Sequence, residues 1–235
     1  MTEPGQHVLD DVVWHALSGP QAHLAEVAPG GAARRYRDGI APFCGVERLD
    51  ATGWAAVGGL VGAGGVAAFL RGEVEPTPAG WTELVRELGT QYVAGALAPP
   101  PPGSEEVVEL GAADSPDMVR LAAETEPGPF SDTGHLTGRW FGIRRDGRLV
   151  AMAGERMRPP GYGEVSGVCV DASVRGEGLG AVVTLAAARA IEERGDTPIL
   201  HVREGNEGAH RLYRRTGFEV RRTVVVAVLR RDGTP

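Results

Sequence analysis

A glycine-rich segment, Arg175-Gly-Glu-Gly-Leu-Gly180, lies between a predicted strand that ends near Asp171 and a long predicted helix. Glycines lack a Cβ, so the backbone can adopt positive φ and a ligand can approach it closely. The first amides of a helix have no partner within the helix, and with the helix dipole they favour an anion. The segment therefore predicts a cradle for a phosphate or pyrophosphate group, the plainer alternative being an ordinary glycine-rich turn.

A dinucleotide-binding site is a rival interpretation of the same glycines. Gly176, Gly178 and Ala181 have the G-x-G-x-x-G/A spacing of that fingerprint. However, 54 residues follow Ala181 in the 235-residue sequence, too few for the remaining strand–helix units, and the glycines come several residues after the strand. A P-loop is excluded because the sequence has no Gly-Lys-Ser/Thr run. An NAD-binding oxidoreductase is therefore disfavoured.

A second stretch of sequence with a recognisable pattern lies at residues 206–218. It reads Asn-Glu-Gly-Ala-His-Arg-Leu-Tyr-Arg-Arg-Thr-Gly-Phe. It resembles the N-x-x-A-x-x-L-Y-x-x-x-G-F block of the GNAT acetyltransferase superfamily, and Arg175-x-x-Gly178-x-Gly180 is similar to that family's Arg/Gln-x-x-Gly-x-Gly/Ala signature. The order and spacing of strand, glycine loop and helices also match, over roughly residues 105–231. The resemblance implies acetyl transfer from acetyl-CoA to an amine.

The resemblance also implies which residues hold acetyl-CoA. In this family the strand over residues 163–171 would separate from the next strand, Pro198–Val202, and the pantetheine would lie in the wedge between them. The implied contacts are with the main chain of Val168, Cys169 and Val170, with the amides of Arg175, Gly176, Glu177, Gly178, Leu179, Gly180 and Ala181, and with Asn206. Asn206 has a second interpretation as the cap of the last helix, and the two roles are compatible.

Tyr213 matches the family tyrosine whose hydroxyl faces the CoA sulfur, and this implies that it donates a proton or hydrogen bond to the leaving thiolate. The alternative is a core tyrosine beside Leu212 and Ala209. The Cys169 thiol is a weaker candidate for chemistry: it lies among valines in a predicted strand, where a small buried apolar residue is the usual role.

The amine that attacks must lose a proton, which calls for a general base. Glu164 lies where several family members carry one, and a carboxylate shielded in a sheet cleft would have a raised pKa that suits the task. The alternative is a strand-edge glutamate in water. Glu155, on the preceding strand, is the second candidate. A chain of water molecules replaces both in many family members.

The arrangement of predicted elements places these residues in an α/β domain with a mixed sheet. From residue 105 the order is β-α-β-β-β-α-β-α-β, with the longest helix starting at Leu179. Four consecutive prolines before Gly103 predict a linker over residues 99–104. It separates a GNAT-like domain, 105–235, from a smaller α/β part, 1–98, interpreted as a degenerate GNAT-like half. In that part Val12–Val27 and Trp81–Leu88 are predicted helices.

Composition narrows the function classes. The formal net charge is −7, which argues against general nucleic-acid binding, although arginines outnumber acids after residue 200. Two distant cysteines, Cys44 and Cys169, form neither a disulfide framework nor a zinc ligand set, and the histidines have no metal-ligand spacing. Cytoplasmic location without a metal is the expectation. The uncharged run Ala51–Leu70 is interpreted as a short helix, a glycine turn and a strand rather than a membrane span.

These observations predict an acetyl-CoA-dependent N-acetyltransferase acting on a small-molecule primary amine, with an amino acid, polyamine or antibiotic as examples and a protein N-terminus as a further option. Acceptor contacts are expected from the loop Glu126–Gly138, including Phe130 and His135, and from the N-terminal part. The alternative is a non-catalytic acyl-CoA-binding sensor or scaffold. A homodimer is left open.

Overall fold

The computed structural model describes residues 7–125 and 128–233. It contains five α-helices in this part of the chain: α1 Val12–Leu17, α2 Ala51–Val61, α3 Ser115–Thr125, α4 Leu179–Glu193 and α5 Glu207–Arg215. The strands are β1 Ala25–Val27, β2 Ala33–Tyr36, β3 Cys44–Val46, β4 Val66–Arg71, β5 Trp81–Ala94, β6 Val108–Leu110, β7 Trp140–Arg145, β8 Arg148–Glu155, β9 Tyr162–Val170, β10 Thr197–Arg203 and β11 Phe218–Arg231.

The centre of the fold is an eight-stranded mixed sheet with the order β4-β11-β5-β10-β9-β8-β7-β6. All neighbouring pairs are antiparallel except β9 and β10. Parallel neighbours need a crossover, and α4 supplies it. The mixed α/β class and the order of elements after residue 105 are as predicted.

The strands β6 to β9 form an antiparallel meander whose turns follow from the sequence. Asp146 and Gly147 both have positive φ, 49° and 80°, in the tight turn between β7 and β8. Helix α3 packs on one face of these strands, with Met118 and Leu121 fully buried. Helix α4 packs on the other face, with Val183, Ala187 and Ile191 inaccessible to solvent. The meander is thereby covered on both sides.

The residues before the proline run contribute to the same sheet. Strand β5 lies between β10 and β11, and β4 forms the outer edge beside β11. A separate three-stranded sheet, β1-β2-β3, packs near α1. The division into residues 1–98 and 105–235 stays a prediction, and the two parts share one sheet.

Two helix predictions in the N-terminal part are wrong. Residues 81–88 belong to the strand β5, because pairing with β11 along its whole length overrides a helix-like spacing of apolar residues. Residues 12–27 form the short helix α1, one 3-10 turn and β1, because α1 ends at Leu17, before Gly19 and Pro20. The interpretation of residues 51–70 is confirmed by α2, a glycine turn and β4. Within the described residues, no helix is both long enough and apolar enough to cross a bilayer.

Candidate active site

A cleft opens where β9 and β10 separate. The two strands pair only where both begin. The pairs are Thr197 with Tyr162, Pro198 with Gly163, and Ile199 with Glu164. Beyond that point β10 continues to pair with β5 and β9 with β8. The register between β8 and β9 shifts near Gly167, whose φ is +61°. This bulge bends β9 away from β10.

Replacing Gly167 with any other residue would force the neighbouring structure to rearrange. A Cβ at this position would lie 2.6 Å from the indole ring of Trp140. The glycine therefore allows both the left-handed backbone and the close approach of the ring. The cleft that results has a volume of about 780 Å³, within the usual range for small-molecule sites.

The glycine segment forms the end of this cleft at the start of α4. Gly176 and Gly178 have φ of +92° and +83°, and Gly178 is the N-cap of α4. A Cβ at either glycine would project into open space, so their main chain is open to a ligand. Arg175 and Gly180 line the cleft. A positively charged side chain at a helix N-terminus suits an anion.

The other residues expected to contact a cofactor are distributed around this end of the cleft. Val168 and Val170 line it, whereas the Cys169 side chain is buried on the opposite face among the residues packed against α3. Burial raises the pKa of the Cys169 thiol to about 11, which keeps it protonated at neutral pH. Glu177 is exposed, Leu179 is buried and Ala181 is half-buried at the start of α4.

Tyr213 lies on α5 and lines the cleft with the rest of its side chain buried. Its ring is 6.3 Å from that of Tyr92 and 6.2 Å from that of Phe218. Burial raises the pKa of its hydroxyl, so this group stays protonated and can donate a hydrogen bond at neutral pH. The structure thus gives Tyr213 a packing contact and an approach to the cleft.

Asn206 starts α5 and lines the same cleft. Its side-chain oxygen accepts a hydrogen bond of 3.1 Å from the backbone amide of Ala209. This confirms the predicted helix cap, and it leaves the amide nitrogen of the side chain for another partner.

Glu164 is buried at the closed end of the β9–β10 pair and is held by charged and polar neighbours. The Arg156 guanidinium donates two hydrogen bonds to its carboxylate, at 2.9 and 2.6 Å, and His201 Nδ1 lies 2.8 Å from Oε1. Burial would raise the pKa of this carboxyl, but Arg156 and His201 outweigh it and hold the pKa at about 2. The expectation of a raised pKa was wrong.

The network around Glu164 continues into the N-terminal part through Gln91 of β5. The Gln91 amide nitrogen donates to the Leu9 carbonyl at 2.8 Å and lies 2.8 Å from His201 Nε2. Its oxygen accepts a hydrogen bond of 2.7 Å from Arg221, which fixes the orientation of the amide. His201 Nε2 therefore accepts from Gln91, and His201 Nδ1 donates to Glu164.

Arg156, His201 and Gln91 were not singled out as site residues in the sequence. Arg156 and His201 line the cleft, whereas Glu164 is not among the lining residues. One signal was available: a buried glutamate in a strand requires a cationic partner, and Arg156 follows the neighbouring strand closely. Gln91 carries no comparable signal, because β5 is distant in the chain.

Glu155 does not reach the cleft. Its carboxylate is buried and accepts two hydrogen bonds from the Arg194 guanidinium, at 3.0 and 2.7 Å, beside the C-terminal end of α4. The two candidate bases therefore lie in separate buried ion pairs.

The two residues predicted to contact the acceptor are placed differently. Phe130 packs edge-on against Trp140, with ring centroids 5.0 Å apart, and lines a small cavity that shares Arg156, Ser166 and Gly167 with the cleft. His135 lies in the next turn, with Nδ1 2.9 Å from the Asp132 carbonyl oxygen. It lines neither the cleft nor this cavity. Residues 126 and 127 of the predicted acceptor loop lie outside the described residues.

Comparison with known proteins agrees with this geometry. The family model described as FR47-like protein matches residues 140–226, which include both motifs and all of the described cleft-lining residues except Thr125. A solved structure from Novosphingobium aromaticivorans, described as an acetyltransferase of the GNAT family, superimposes with a TM-score of 0.87 at 34% identity. That match covers 98% of this chain and 100% of the other. A GCN5-related N-acetyltransferase from Kribbella flavida shares the fold, with a TM-score of 0.60 at 23% identity over 89% of this chain and 90% of the other.

Curated relatives match a smaller part. A mycothiol acetyltransferase from Thermomonospora curvata is 42% identical over 111 residues, which is 47% of this chain and 35% of the relative. A mycothiol acetyltransferase from a Mycobacterium species is 30% identical over 131 residues and is matched over 44% of its length. The chain therefore spans less than half the length of these relatives.

Proposed function

The chain belongs to the GNAT family of acetyltransferases, and we propose that it transfers the acetyl group of acetyl-CoA directly to a primary amine of a small molecule. The observation that carries this proposal is the cleft between the separated strands β9 and β10, with a glycine loop and the N-terminus of α4 at one end and Tyr213 in its wall. Its location in the cytoplasm and its assembly as a homodimer stay predictions.

The described residues suit acetyl-CoA chemically. The amides from Arg175 to Ala181 would bind the pyrophosphate, because positive φ at Gly176 and Gly178 leaves the main chain accessible. The main chain of Val168, Cys169 and Val170 would pair with the pantetheine, since the departure of β10 leaves this edge of β9 without a neighbouring strand. Acetyl-CoA supplies an activated acyl group and a thiolate leaving group.

Tyr213 would donate a hydrogen bond to that thiolate. A phenol with a raised pKa remains protonated, and a donor that faces developing charge in a partly dry cleft stabilises the transition state. This role needs only that the hydroxyl reaches the cleft, which Tyr213 lines.

The proton of the acceptor amine would leave through water in the cleft. A carboxylate with a pKa of about 2 is a weak base, and Glu164 is also engaged by Arg156 and His201. Glu155 is engaged by Arg194 on the far side of the strand. We therefore assign to Glu164 the positioning of Arg156 and His201, which do line the cleft.

A non-catalytic acyl-CoA-binding module is the alternative function, and it would need the glycine loop but not Tyr213. The names of the curated relatives describe acetyltransferases, which supports the catalytic proposal. The intact chain, acetyl-CoA and a panel of primary amines should be assayed for release of the free CoA thiol. Amine-dependent release supports transfer, whereas binding of acetyl-CoA without release for any amine supports the sensor. A Gly178→Asp chain serves as the blank.

A further inference from the structure

Two further cavities lie between the cleft and the N-terminal part of the chain. We call the first the inner cavity; it has a volume of about 20 Å³ and shares Arg156, Ser166 and Gly167 with the cleft. The second, the outer cavity, has a volume of about 290 Å³. Both are lined by Ile40, Pro129 and Phe130, so the two cavities adjoin at these three residues, which we call the neck.

The neck is built from both parts of the chain and is held together by hydrogen bonds. The hydroxyls of Ser131 and Thr133 donate to the carbonyl of Gly39, next to Ile40. Phe130 rests edge-on against Trp140, which is itself buried. The neck is thus fixed in position on both sides, and its width depends on the side chains of Ile40 and Phe130.

The volumes of the inner and outer cavities restrict which acceptor molecules can bind there. The inner cavity has room for about one water molecule, which matches an amino group but not a carbon with a side branch next to it. The outer cavity is near the lower limit for small-molecule sites and suits a body about the size of one ring.

The charges restrict the acceptor further. Among the described residues, Arg156 is the one charged residue that lines the inner cavity, and two of its guanidinium nitrogens are already bonded to Glu164. In the part of the chain that the structure describes, Asp38 is the one charged residue lining the outer cavity, and it is largely exposed and paired with Arg35 at 3.1 Å. Apart from the hydroxyls of Thr137, Ser166 and Ser131, the other described lining residues are apolar or glycine, so a second charge on the acceptor would lose water without gaining an unpaired charged partner there.

We propose that the acceptor is an unbranched primary amine on a small, uncharged apolar body, with the body in the outer cavity and the amino group in the inner cavity beside Arg156, Ser166 and Gly167. This substrate class rests on the proposed function. Ile40, from the N-terminal part of the chain, is then a residue that determines specificity.

Benzylamine and two close analogues test the class. The intact chain with saturating acetyl-CoA should acetylate benzylamine with the highest kcat/KM. The value should fall by about 10-fold or more for α-methylbenzylamine, which adds a branch, and by about 10-fold or more for para-carboxybenzylamine, which adds a charge. Equal or higher values for either analogue would overturn the proposal.

Substitutions in the neck test the route. Ile40→Trp should raise KM for benzylamine by about 10-fold or more, with an unchanged Kd for acetyl-CoA, while Leu136→Trp serves as the matched control. Leu136 is exposed and lines neither cavity. Ile40→Ala should increase kcat/KM for α-methylbenzylamine, a gain that a poorly folded variant cannot produce. No change in either Ile40 variant would rule out the neck.

A measurement of acceptor binding tests this inference independently of the proposed function. Calorimetry with benzylamine on the CoA-loaded chain needs no turnover. Binding that is weakened by Ile40→Trp but not by Leu136→Trp supports the acceptor site even if no acetylation is detected, in which case the proposed function fails alone. Absence of binding, or binding insensitive to Ile40→Trp, overturns the inference even if other amines are acetylated.

Discussion

The two ends of the β9–β10 pair differ in what they expose. At the closed end the strands are hydrogen-bonded from Tyr162 to Glu164, and a carboxylate is buried under Arg156 and His201. At the open end the same strands have separated, and the space between them is the cleft that leads to the glycine loop. One pair of strands therefore contains both a buried, ion-paired carboxylate and an accessible cleft.

The closed end is joined to the rest of the fold by side chains from other strands and by a backbone carbonyl. Gln91 from β5, Arg221 from β11 and the Leu9 carbonyl all contribute to the network around Glu164. Three further segments thus meet at the point where the strands diverge, and a well-supported position of the cleft walls reduces the reorganisation that binding requires. Substitutions at the closed end should change stability first, and those at the open end should change ligand binding first.

The largest expected effect is at the open end, at Gly178. In Gly178→Asp a carboxylate would stand beside the anion site, and repulsion of the pyrophosphate should weaken acetyl-CoA binding by about 100-fold or more. The melting temperature should fall moderately, because an L residue is strained at a φ of +83°, although a Cβ at this position meets no neighbouring atom within 4 Å. Calorimetry and thermal melting measure the two quantities.

Gly147→Asp provides the matched control for this substitution. Gly147 also has positive φ, +80°, with open space around its Cβ position, but it lies in the β7–β8 turn. It should impose similar backbone strain with normal affinity for acetyl-CoA. Equal affinities in the two variants would contradict the assignment of the glycine loop as the anion site.

At the closed end, Glu164→Gln should reduce the free energy of unfolding at pH 7 by about 3 kcal/mol. The pKa of Glu164 is lowered to about 2 from 4.5, so its stabilising contribution is complete above pH 4.5 and is lost as the pH falls through 2. The difference in stability between the two proteins should therefore narrow over that range in denaturant titrations.

Two comparisons make this test specific. Glu109→Gln removes an exposed pair with Arg139 and should cost about 0.5 kcal/mol or less. In assays of turnover, the rise of the rate with pH should keep its midpoint in Glu164→Gln. Loss of that rise would instead identify Glu164 as the general base and would contradict its positioning role.

Tyr213→Phe returns to the open end and should change turnover rather than binding or stability. Removal of the hydroxyl should lower kcat by about 10–1000-fold with acetyl-CoA affinity nearly unchanged, because the ring contacts remain. Tyr92→Phe is the control. The hydroxyl of Tyr92 lies 2.7 Å from His210 Nδ1, and Tyr92 does not line the cleft. A fall in melting temperature with proportionate loss of affinity in Tyr213→Phe would assign a structural role to this tyrosine.

The sequence predicts much of the fold because the elements after residue 105 are marked by local signals. Ser115 and Pro116 start α3, Gly147 marks the turn between β7 and β8, and Gly195, with φ of +88°, follows the end of α4. The N-terminal part lacks such signals. Strand β5 has apolar residues at helical spacing, and only its pairing with β11 and β10, far away in the sequence, decides its structure.

The same distinction applies to the site. The glycine loop and the cap at Asn206 depend on contiguous residues, and both are visible in the sequence. The protonation state of Glu164 is not visible in the sequence. It depends on Arg156, His201 and Gln91, which meet only in the folded sheet. Burial alone predicts a raised pKa, whereas the partners that burial brings together lower it.

Asn206 offers the smallest effect and the finest division between the two ends, because it both caps α5 and lines the cleft. Asn206→Ala removes the hydrogen bond to the Ala209 amide and should cost about 1 kcal/mol of stability, or about 2–4 °C in melting temperature. Asn206→Asp retains an oxygen that can cap the helix, so it should melt like the native chain. It loses only the side-chain amide donor.

If that donor contacts the pantetheine, both variants should bind acetyl-CoA about 2–10-fold more weakly, although only one of them is less stable. Weaker binding confined to Asn206→Ala would instead show that the cap acts on the cofactor solely by holding α5, and with it Tyr213, in place.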